Sequence, residues 1–493
     1  MTPRRCGRSR VWSAAPSLVI GALITSVGCG GTAARDAEVL PGRTRPLLEH
    51  NWSHPRDLRF SENRFATADP AAALITTSSG LRAYVITDAK EPVVQITAAI
   101  PLGRGVEEPD EMGAADLLLR LLSQQIDARL GSQFLGRVQA DQDVDLTRIT
   151  LQVLAEDWQP ALSALVETLR QPRLETAAID AYRTGPGFAR QTRGLGGPTF
   201  RPAVELSRML AAYPLAPPDP GLSVRREAVR EIASRSLRPQ TIVLGIGGGI
   251  AKDEAQRALD PLAAAWHTPN APANTPPIVA TVETTADRFR TVSEPGYTTW
   301  IAVGHPTVPI AAADEAAVAV MIDILNIRLN ITIREIRGLA NATQLQISAS
   351  RRHDGLLHVR SGARPESVAP IVRLSLQELT HIREVDGAPT VDELEQVKGG
   401  LVLGKWQGSL DGARQTSATY ASETARLGSL DRLMNWPAAV RAVTAEDVTV
   451  AARKYVHPER AGAVLIGQIE EVRRARHPRW PVALDDVATA LTR

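Results

Sequence analysis

Pairs of histidine and acidic residues are the groups in this chain whose spacing could support metal chemistry. Two imidazoles four residues apart on a helix point to the same side and can bind one zinc ion. Three pairs come near that arrangement: His50 with His54, His353 with His358, and His381 with Glu384. The first pair stands beside a proline in a polar segment, the second brackets a turn-forming Asp-Gly, and the third ends a helix. We interpret all three as surface or structural residues, so these pairs predict no metal site.

Cysteine chemistry is not expected in the globular part of the chain. The two cysteines are Cys6 and Cys29, so the remainder has no thiol for a disulfide, a thiolate zinc site or a cysteine nucleophile. The glycine-rich runs at 194–197 and 247–249 lack the lysine and hydroxyl of a phosphate-binding loop, and no Gly-x-Ser-x-Gly elbow occurs.

The first 28 residues have the layout of a secretory signal. Residues 1–10 are rich in arginine, residues 14–27 are apolar, and small residues follow. The run Ser26-Val27-Gly28-Cys29 resembles a bacterial lipobox with serine in place of the usual leucine, which predicts a signal peptide at 1–28 and lipidation of Cys29. Ordinary signal cleavage with an incidental cysteine is the alternative.

The segment that follows fits a lipid anchor. Residues 29–55 are polar and irregular, as a tether between an anchor and a folded body would be. The chain is therefore expected to cross the inner membrane and to face the periplasm from its lipid anchor. Gly30 after the cysteine favours the outer membrane.

Composition places the rest of the chain among folded soluble proteins. The chain has 493 residues, of which 44% are hydrophobic and 22% are charged. Its formal charge of +2 arises from four arginines in the signal, because 52 basic and 54 acidic residues follow residue 28. A nearly neutral body gives nucleic acid no electrostatic reason to bind, so that class of partner is not expected.

The elements that must position any site fall into two domains. A segment at 267–290, rich in proline and asparagine near its start, predicts a linker. It separates an N-terminal domain at 56–266 from a C-terminal domain at 291–493. Their similar length and layout indicate a tandem duplication rather than a solenoid of short repeats.

Each domain begins and ends in the same way. Alternating residues predict strands at 93–100 and 299–304, and apolar helices follow at 112–126 and 314–325. Both domains close with a helix, a proline and an apolar strand that ends at glycine. The pattern predicts an α+β fold made of two homologous domains, each with a mainly antiparallel sheet packed with helices.

Five short runs occur in a consistent order along the chain. They are Gln139-Ala140 with Asp145 and Thr147, Asp323-Ile324-Leu325, Arg328-Leu329-Asn330, Arg334 through Ala340, and Thr390 through Leu394 with Lys398. Together they resemble the insulinase, or pitrilysin, family of zinc metallopeptidases, in the two-domain form of the subunits of mitochondrial processing peptidase. The resemblance implies half of a clamshell that closes with a second half around a peptide chamber.

The residues that this resemblance places in the zinc site lack its chemistry. Active members carry His-x-x-Glu-His on the first helix, where both histidines bind zinc and the glutamate activates water. Aligning residues 113–115 with the family's Gly-x-Ala places Asp116, Leu119 and Arg120 at the three functional positions. Leucine cannot move a proton, arginine has no lone pair, and Asp116 is expected to pair with Arg120 at i, i+4. The resemblance therefore implies no zinc, no other cofactor and no catalytic residue.

Two further family features are incomplete. The distant zinc-binding glutamate falls near Arg190 and Gln191, in a run without any acid. A substrate-binding arginine followed seven positions later by tyrosine matches Arg334, but the later position is Asn341. Arg334 and Asn341 are thus candidate peptide-binding residues, with an ion pair from Arg334 to Glu335 or another neighbour as the alternative.

These observations predict a non-catalytic envelope lipoprotein that completes a peptide-binding chamber with a zinc-bearing homologue, as a heterodimer. Peptide is expected to lie along an edge strand by β-augmentation. Two alternatives stay open. One is a divergent active zinc metalloendopeptidase, and the other is a peptide-binding or scaffold protein of the cell envelope that acts alone.

Overall fold

The computed structural model describes residues 65–184, 199–210, 224–266 and 288–492, apart from residues 109, 132, 133 and 135. The predicted signal, tether and most of the predicted linker lie outside these residues. Phe65–Arg493 form one compact unit by their backbone contacts, which contains the predicted C-terminal domain and the predicted N-terminal domain from residue 65 onward.

The first sheet has six strands. They are β1 (Leu74–Thr76), β2 (Arg82–Thr87), β3 (Val93–Ile100), β4 (Arg137–Gln142), β5 (Thr147–Leu154) and β6 (Val243–Gly248). Their order across the sheet is β1-β2-β6-β3-β5-β4, and only β2 and β6 run parallel. The apolar run at 93–100 is the predicted strand β3.

The second sheet has five strands. They are β7 (Phe289–Ser293), β8 (Thr299–Thr307), β9 (Thr343–Ile347), β10 (Gly355–Ala363) and β11 (Gly462–Gly467). The order β7-β11-β8-β10-β9 repeats that of the first sheet from β2 onward, including one parallel pair, β7 with β11. The predicted α+β fold with two homologous domains is confirmed.

Helices surround both sheets. Those that precede residue 288 are α1 (Pro70–Ala73), α2 (Ala114–Leu130), α3 (Trp158–Arg170), α4 (Thr176–Thr184), α5 (Arg201–Leu210), α6 (Arg226–Ser236) and α7 (Lys252–Ala264). Those that follow are α8 (Glu315–Asn330), α9 (Pro365–His381), α10 (Val391–Gly399), α11 (Gly412–Leu427), α12 (Asp431–Ala442), α13 (Ala445–Tyr455), α14 (Ile469–Arg474) and α15 (Leu484–Thr492). Wider π-helical turns continue α8 over Ile331–Ile336 and α10 over Gly400–Trp406.

The predicted apolar helices are α2 and α8. With the turns beside it, α8 forms the segment Ala312–Ile336, which is long and apolar enough to cross a membrane by length and composition alone. Half of its most apolar window is buried inside the protein, as in the core helix of a folded domain. A later helix, α10, begins with a capping box in which Thr390 and Glu393 bond each other's backbone N–H groups.

One helix of each half covers the sheet of the other half. From the second half, α11 packs on β2, β3 and β6 of the first sheet, where Tyr420 and Ala421 meet Tyr84 and Val243. From the first half, α5 packs on β8, β10 and β11 of the second sheet through an apolar cluster. That cluster contains Leu206, Met209, Leu210, Ala302, Leu356, Val464 and Ile466.

Glycines in β6 permit the close approach of α11. A Cβ atom added at Gly245 would lie 2.3 Å from the carbonyl oxygen of Ser417, and one at Gly247 would lie 2.3 Å from that of Ala413. Both contacts are far shorter than van der Waals distance. The helix α11 therefore packs directly against the backbone of β6, without side chains between them.

Gly245→Ala is expected to lower the free energy of unfolding by about 2 kcal/mol or more, because α11 must move away from the first sheet. Urea unfolding of the purified body, residues 56–493, measures the change in the free energy of unfolding. Gly399→Ala is the matched control, because its Cβ meets no atom within 4 Å at the end of a helix. It should be neutral or should stabilise by up to about 1 kcal/mol. Equal effects of the two substitutions would contradict the packing argument.

A helix start and two unequal sheet edges

A buried carboxylate organises the start of α2. Both oxygens of Glu107 accept backbone hydrogen bonds, from Gly113 N at 3.1 Å and from Ala115 N at 2.6 Å. Gly113 adopts φ 86°, which glycine accepts without strain, so the chain can turn sharply into the helix. Sequence reasoning missed this carboxylate, because it stands six and eight residues before the groups that it binds.

Burial sets the protonation of Glu107. Its side chain is almost fully buried, which raises the pKa of the carboxyl to about 8, while the two backbone donors and Arg104 act in the opposite direction. Asp116, one turn into the helix, adds a smaller repulsion that also favours the protonated form. The start of α2 is thus less tolerant of added negative charge than an exposed helix end.

The positions of the degenerate motif lie on α2 as the spacing requires. Arg120 donates from Nε to Asp116 Oδ2 at 2.8 Å and from Nη2 to Asp116 Oδ1 at 3.2 Å. The predicted pair is therefore present, with both carboxylate oxygens engaged. Leu119 points elsewhere, into the hydrophobic core. Where the resemblance places a metal, the described part of α2 carries one carboxylate, which is already paired with an arginine, and no imidazole.

A second ion pair holds the segment that leads into α2. Arg235 of α6 donates to both oxygens of Glu111, at 2.6 Å for Nη1 and Oε1, and to the carbonyl oxygen of Val106 at 2.9 Å. The Glu111 side chain is nearly inaccessible. The pair therefore ties the helix start to a helix more than 100 residues further along the chain, which no local pattern could reveal.

The edge of the first sheet beside α2, formed by β4, has no neighbouring strand among the described residues. In the turn between β4 and β5, Asp143 N–H donates to Leu146 O at 2.9 Å. This bond and the register of the hairpin fix an alternation along β4, in which every second residue directs its backbone groups toward β5. That alternation directs the backbone groups of Val138 and Ala140 away from β5. The middle of β4 is exposed, and among the described residues no side chain bonds to these outward groups.

The equivalent edge of the second sheet is closed. Asn326 and Asn330 of α8 each form two hydrogen bonds with β9, accepting from the N–H and donating to the C=O of one residue. The distances are 2.7 and 3.0 Å to Leu345, and 3.2 and 2.7 Å to Thr343. Residues four apart on a helix rise about 6 Å, close to the ~6.6 Å between alternate strand residues. The two amides thus take the place of a neighbouring strand.

A cavity of about 740 Å³ lies between the two halves. It is bounded by the turn at 143–145, by α5 and by β9. Lys405 on its wall lies 2.7 Å from Asp323, and Arg426 bonds to Asp143. These wall charges are therefore already compensated within the protein.

Arg334 and Asn341 do not line this cavity. Arg334 lies in the π-helical turn after α8, with Nε 3.3 Å from Glu335 Oε1, and both side chains are more than half exposed. Asn341 is exposed just before β9. Arg334 thus lies beside Glu335, the alternative partner that the sequence indicated. A role of Arg334 or Asn341 in peptide binding stays a prediction.

The histidine pairs do not form an enclosed metal site in the described part of the chain. His353 and His358 are buried in the second half. His381, Glu384 and Asp386 have ligand atoms within 4.8 Å of one another, but they lie at the surface, as predicted for the first two. The remaining candidates lie outside the described residues: His50, His54, Arg190, Gln191 and Cys29.

Comparison with known proteins agrees with the duplicated fold. Residues 223–401 match the family model described as the peptidase M16 inactive domain. This match runs from the end of the first half, through α6, β6 and α7, into the second half as far as α10. No curated relative matches the sequence.

Solved structures share the fold at low sequence identity. A peptidase M16 inactive domain from Pseudomonas fluorescens is 17% identical with a TM-score of 0.64, over 82% of this chain and 98% of that one. A protease from Helicobacter pylori is 14% identical with a TM-score of 0.65, over 80% and 98%. A structure described as an M16-like peptidase from Alicyclobacillus acidocaldarius is 15% identical with a TM-score of 0.62, over 80% and 97%. At these identities the likeness concerns the fold.

Glu107 should make stability depend on pH. Its pKa rises from 4.5 to about 8 on folding, so the folded state holds a proton that the unfolded chain releases. This contribution is complete below pH 4.5 and is lost as pH rises toward 8, by about 2–5 kcal/mol. Urea unfolding across this range should show the decline in the native chain and a flatter profile for Glu107→Gln. Glu108→Gln, at an exposed neighbour, should keep the native slope; an unchanged slope in Glu107→Gln would contradict the assignment.

Proposed function

Residues 223–401 place this chain with the insulinase/pitrilysin (M16) family, and we propose that it is an inactive member that binds peptides without cleaving them. The observation that carries this proposal is the bidentate Asp116–Arg120 pair on α2, which packs directly against the open edge strand β4. An extended peptide could add to the edge of β4, whereas the adjacent positions of α2 hold an ion pair in which both carboxylate oxygens are already bonded.

The chemistry of that pair disfavours metal. Arg120 presents only donors and stays cationic, so it repels a divalent ion and offers it no lone pair. Its guanidinium also engages both oxygens of Asp116, the one carboxylate on the motif face. Leu119 is buried and cannot transfer a proton to or from water. These three side chains support the lack of zinc-dependent hydrolysis, and the proposed peptide binding rests on the edge of β4.

Partnership with a zinc-bearing homologue is the second part of the proposal. A chain without its own chemistry can complete a chamber in which a second subunit cleaves the peptide, and Arg334 is exposed enough to contact that peptide. The alternative is a peptide-binding or scaffold protein that acts alone. The exchange of α5 and α11 makes both halves one compact unit, so this alternative requires no partner for the chain to fold.

A lipid anchor at Cys29 is the third part. Diacylglycerol on the sulfur plus an amide-linked chain would supply the two hydrophobic signals that stable attachment requires. The peptide-binding body would then face the periplasm from the outer membrane. Recovery of a Cys29→Ser chain in the membrane fraction would rule this anchor out.

The purified body, residues 56–493, is expected to hold no stoichiometric zinc after dialysis, because the motif positions supply a single paired carboxylate. Elemental analysis by mass spectrometry measures this. Asp116→Ala with Arg120→Ala, which removes the pair, should also bind no zinc and tests whether the pair merely conceals a site. About one zinc per native chain, with chelator-sensitive peptide cleavage, would support a divergent active endopeptidase instead.

Peptide is expected to add to β4 and not to β9. Fluorescence anisotropy with a labelled extended peptide of alternating valine and threonine measures the affinity and the number of sites. Ala140→Pro removes an outward N–H while leaving the bonds to β5, and should weaken binding by about tenfold or more. Asn326→Ala with Asn330→Ala should instead expose β9 and add a second site. Unchanged binding in both variants would contradict the assignment of the edges.

A zinc-bearing homologue should co-purify with the native chain from solubilised envelopes. Arg334→Ala should then raise the partner's KM with little change in kcat, because it removes binding that substrate and transition state share. Glu335→Ala, which removes the neighbouring charge but leaves the arginine, should keep KM near the native value. Full activity of the partner without this chain would favour the stand-alone alternative.

A further inference from the structure

A buried arginine in the second sheet lacks a counter-charge. Arg360 lies on β10 with 5% of its surface exposed. Its Nη2 donates to Gln344 Oε1 at 2.6 Å, but Nε and Nη1 are buried without any hydrogen-bond partner. The ring of Phe200 lies over the guanidinium, with its centroid 4.0 Å from Cζ. Within the described parts of the chain, one amide oxygen and one ring face are the polar and aromatic contacts of this cation.

These contacts do not compensate the charge. Burying a cation removes its hydration, and in folded proteins this cost is usually offset by a carboxylate with aligned hydrogen bonds. A ring contact and one neutral acceptor are weaker than such a pair. The buried N–H groups therefore point to a missing acceptor.

The first sheet shows the paired form of the same arrangement. There Arg148 of β5 lies opposite Asp141 of β4 and forms an ion pair with it. In the second sheet, Arg360 of β10 lies opposite Gln344 of β9, so the neighbouring strand supplies an amide instead of a carboxylate. The acceptor that the first half carries within its own hairpin is absent from the second hairpin.

The cavity between the halves reaches the surroundings of Arg360. Gln344 and Phe200, the two side chains in contact with the guanidinium, both line it. So does His358, two residues before Arg360 on β10 and therefore on the same face of the sheet. Its buried Nδ1 also has no partner in the structure. A volume of about 740 Å³ is ample for a small ligand or for the end of a peptide.

The charged side chains around the cavity do not supply the counter-charge that Arg360 lacks. Burial lowers the pKa of His358 to about 4, so its imidazole is neutral near pH 7 and adds no charge. Lys405 and Arg426 have their own carboxylates, Asp323 and Asp143. Arg104, a further cation on the wall, has an interaction of its own within the protein. Among the described residues, Arg360 behind Phe200 is therefore the cation beside this cavity that a ligand carboxylate could compensate.

We propose that Arg360 binds a carboxylate group of a ligand held in this cavity, with Gln344 and His358 beside it. Arg360 would donate from Nη1, one of its two donors without a partner, to a carboxylate oxygen; Nε–H lies on the other side of the planar guanidinium, next to Nη2. Arg360 does not itself line the cavity, and the ring of Phe200, which does, is stacked on the guanidinium, so Phe200 has to turn aside when the ligand enters. The site belongs to the second sheet, so its test does not depend on strand addition at β4.

Two sources can supply the carboxylate, a peptide C-terminus or an acidic side chain. Three probes separate them: N-acetyl-trialanine with a free C-terminus, its C-terminal amide, and the amide with glutamate as the last residue. Isothermal titration calorimetry with the purified body should show binding of the first or the third probe and none of the second. Phe200→Ala, which uncovers the guanidinium, should bind the same probe more tightly.

Arg360→Met distinguishes a ligand site from a structural arginine. It should weaken binding of the carboxylate probe by about tenfold or more. It should also raise the melting temperature of the ligand-free protein by about 1–4 °C, because an uncompensated buried charge is removed. Arg352→Met, at an exposed position, is the control for net charge and should change neither quantity. If Arg360→Met does not fold, Arg360→Lys keeps the charge without the planar donors and should still bind about tenfold more weakly.

Two results would overturn the proposal. One is a lower melting temperature for Arg360→Met together with unchanged probe binding, which would make Arg360 a structural residue. The other is that no carboxylate probe binds the native protein or Phe200→Ala, even though Arg360→Met raises the melting temperature.

Discussion

The burial of each sheet by a helix from the other half is the constraint on which the rest of this structure depends. Both sheets are apolar on two faces, and the helices of one half cover only one of them. The exchanged helices α5 and α11 cover the other. Because α11 rests on glycine backbone at Gly245 and Gly247, the separation of the two halves has little freedom to vary.

The same constraint creates the cavity. With the helices exchanged, the β4–β5 turn meets the loop that follows β9, where Ser350 Oγ lies 3.3 Å from Asp145 Oδ1. His353 packs against Gly105, where an added Cβ would lie 2.3 Å from its Nε2. These two contacts between the halves leave a space that is bounded by α5 and β9. Its location is therefore a property of the two halves together and of neither sheet alone.

The duplicated halves differ most where their edges face solvent. From β2 onward the strand orders are the same, yet the outward backbone groups of β4 have no partner among the described residues and β9 is covered by two asparagine amides. An exposed strand edge invites any extended chain, so closing one edge restricts where such a chain can add. The charges have diverged as well, since Arg148 pairs with Asp141 within its hairpin and Arg360 has no such partner in the structure.

The start of α2 is held in place by contacts other than those of Asp116 and Arg120. The Glu107 cap and the Glu111–Arg235 pair fix the helix, while Asp116 and Arg120 satisfy each other on its surface. Stability requires the first two contacts because their groups are buried, and an unpaired buried polar group is costly. Asp116 and Arg120, which are partly exposed, are under less of this requirement.

Local patterns in the sequence determined the strand β3, the helices α2 and α8, the α+β class and the pairing of Asp116 with Arg120. Each of these depends on residues within a few positions of one another, where the period of a helix or strand decides which side chains meet. The resemblance of five short runs extended this to the family. It also located Arg328 and Glu393, whose ion pair joins α8 to α10 and lowers the pKa of Glu393 to about 2.

Only the tertiary structure decided the exchange of α5 and α11, the closure of β9 by Asn326 and Asn330, and the isolation of Arg360. The amides of Asn326 and Asn330 meet β9 only because the chain turns back after α8. Whether a buried arginine finds a carboxylate depends on which strand lies beside it. Such contacts join residues that are distant in the chain or are set by strand register, and residue spacing carries no information about them. Their partners are fixed by how the two halves pack.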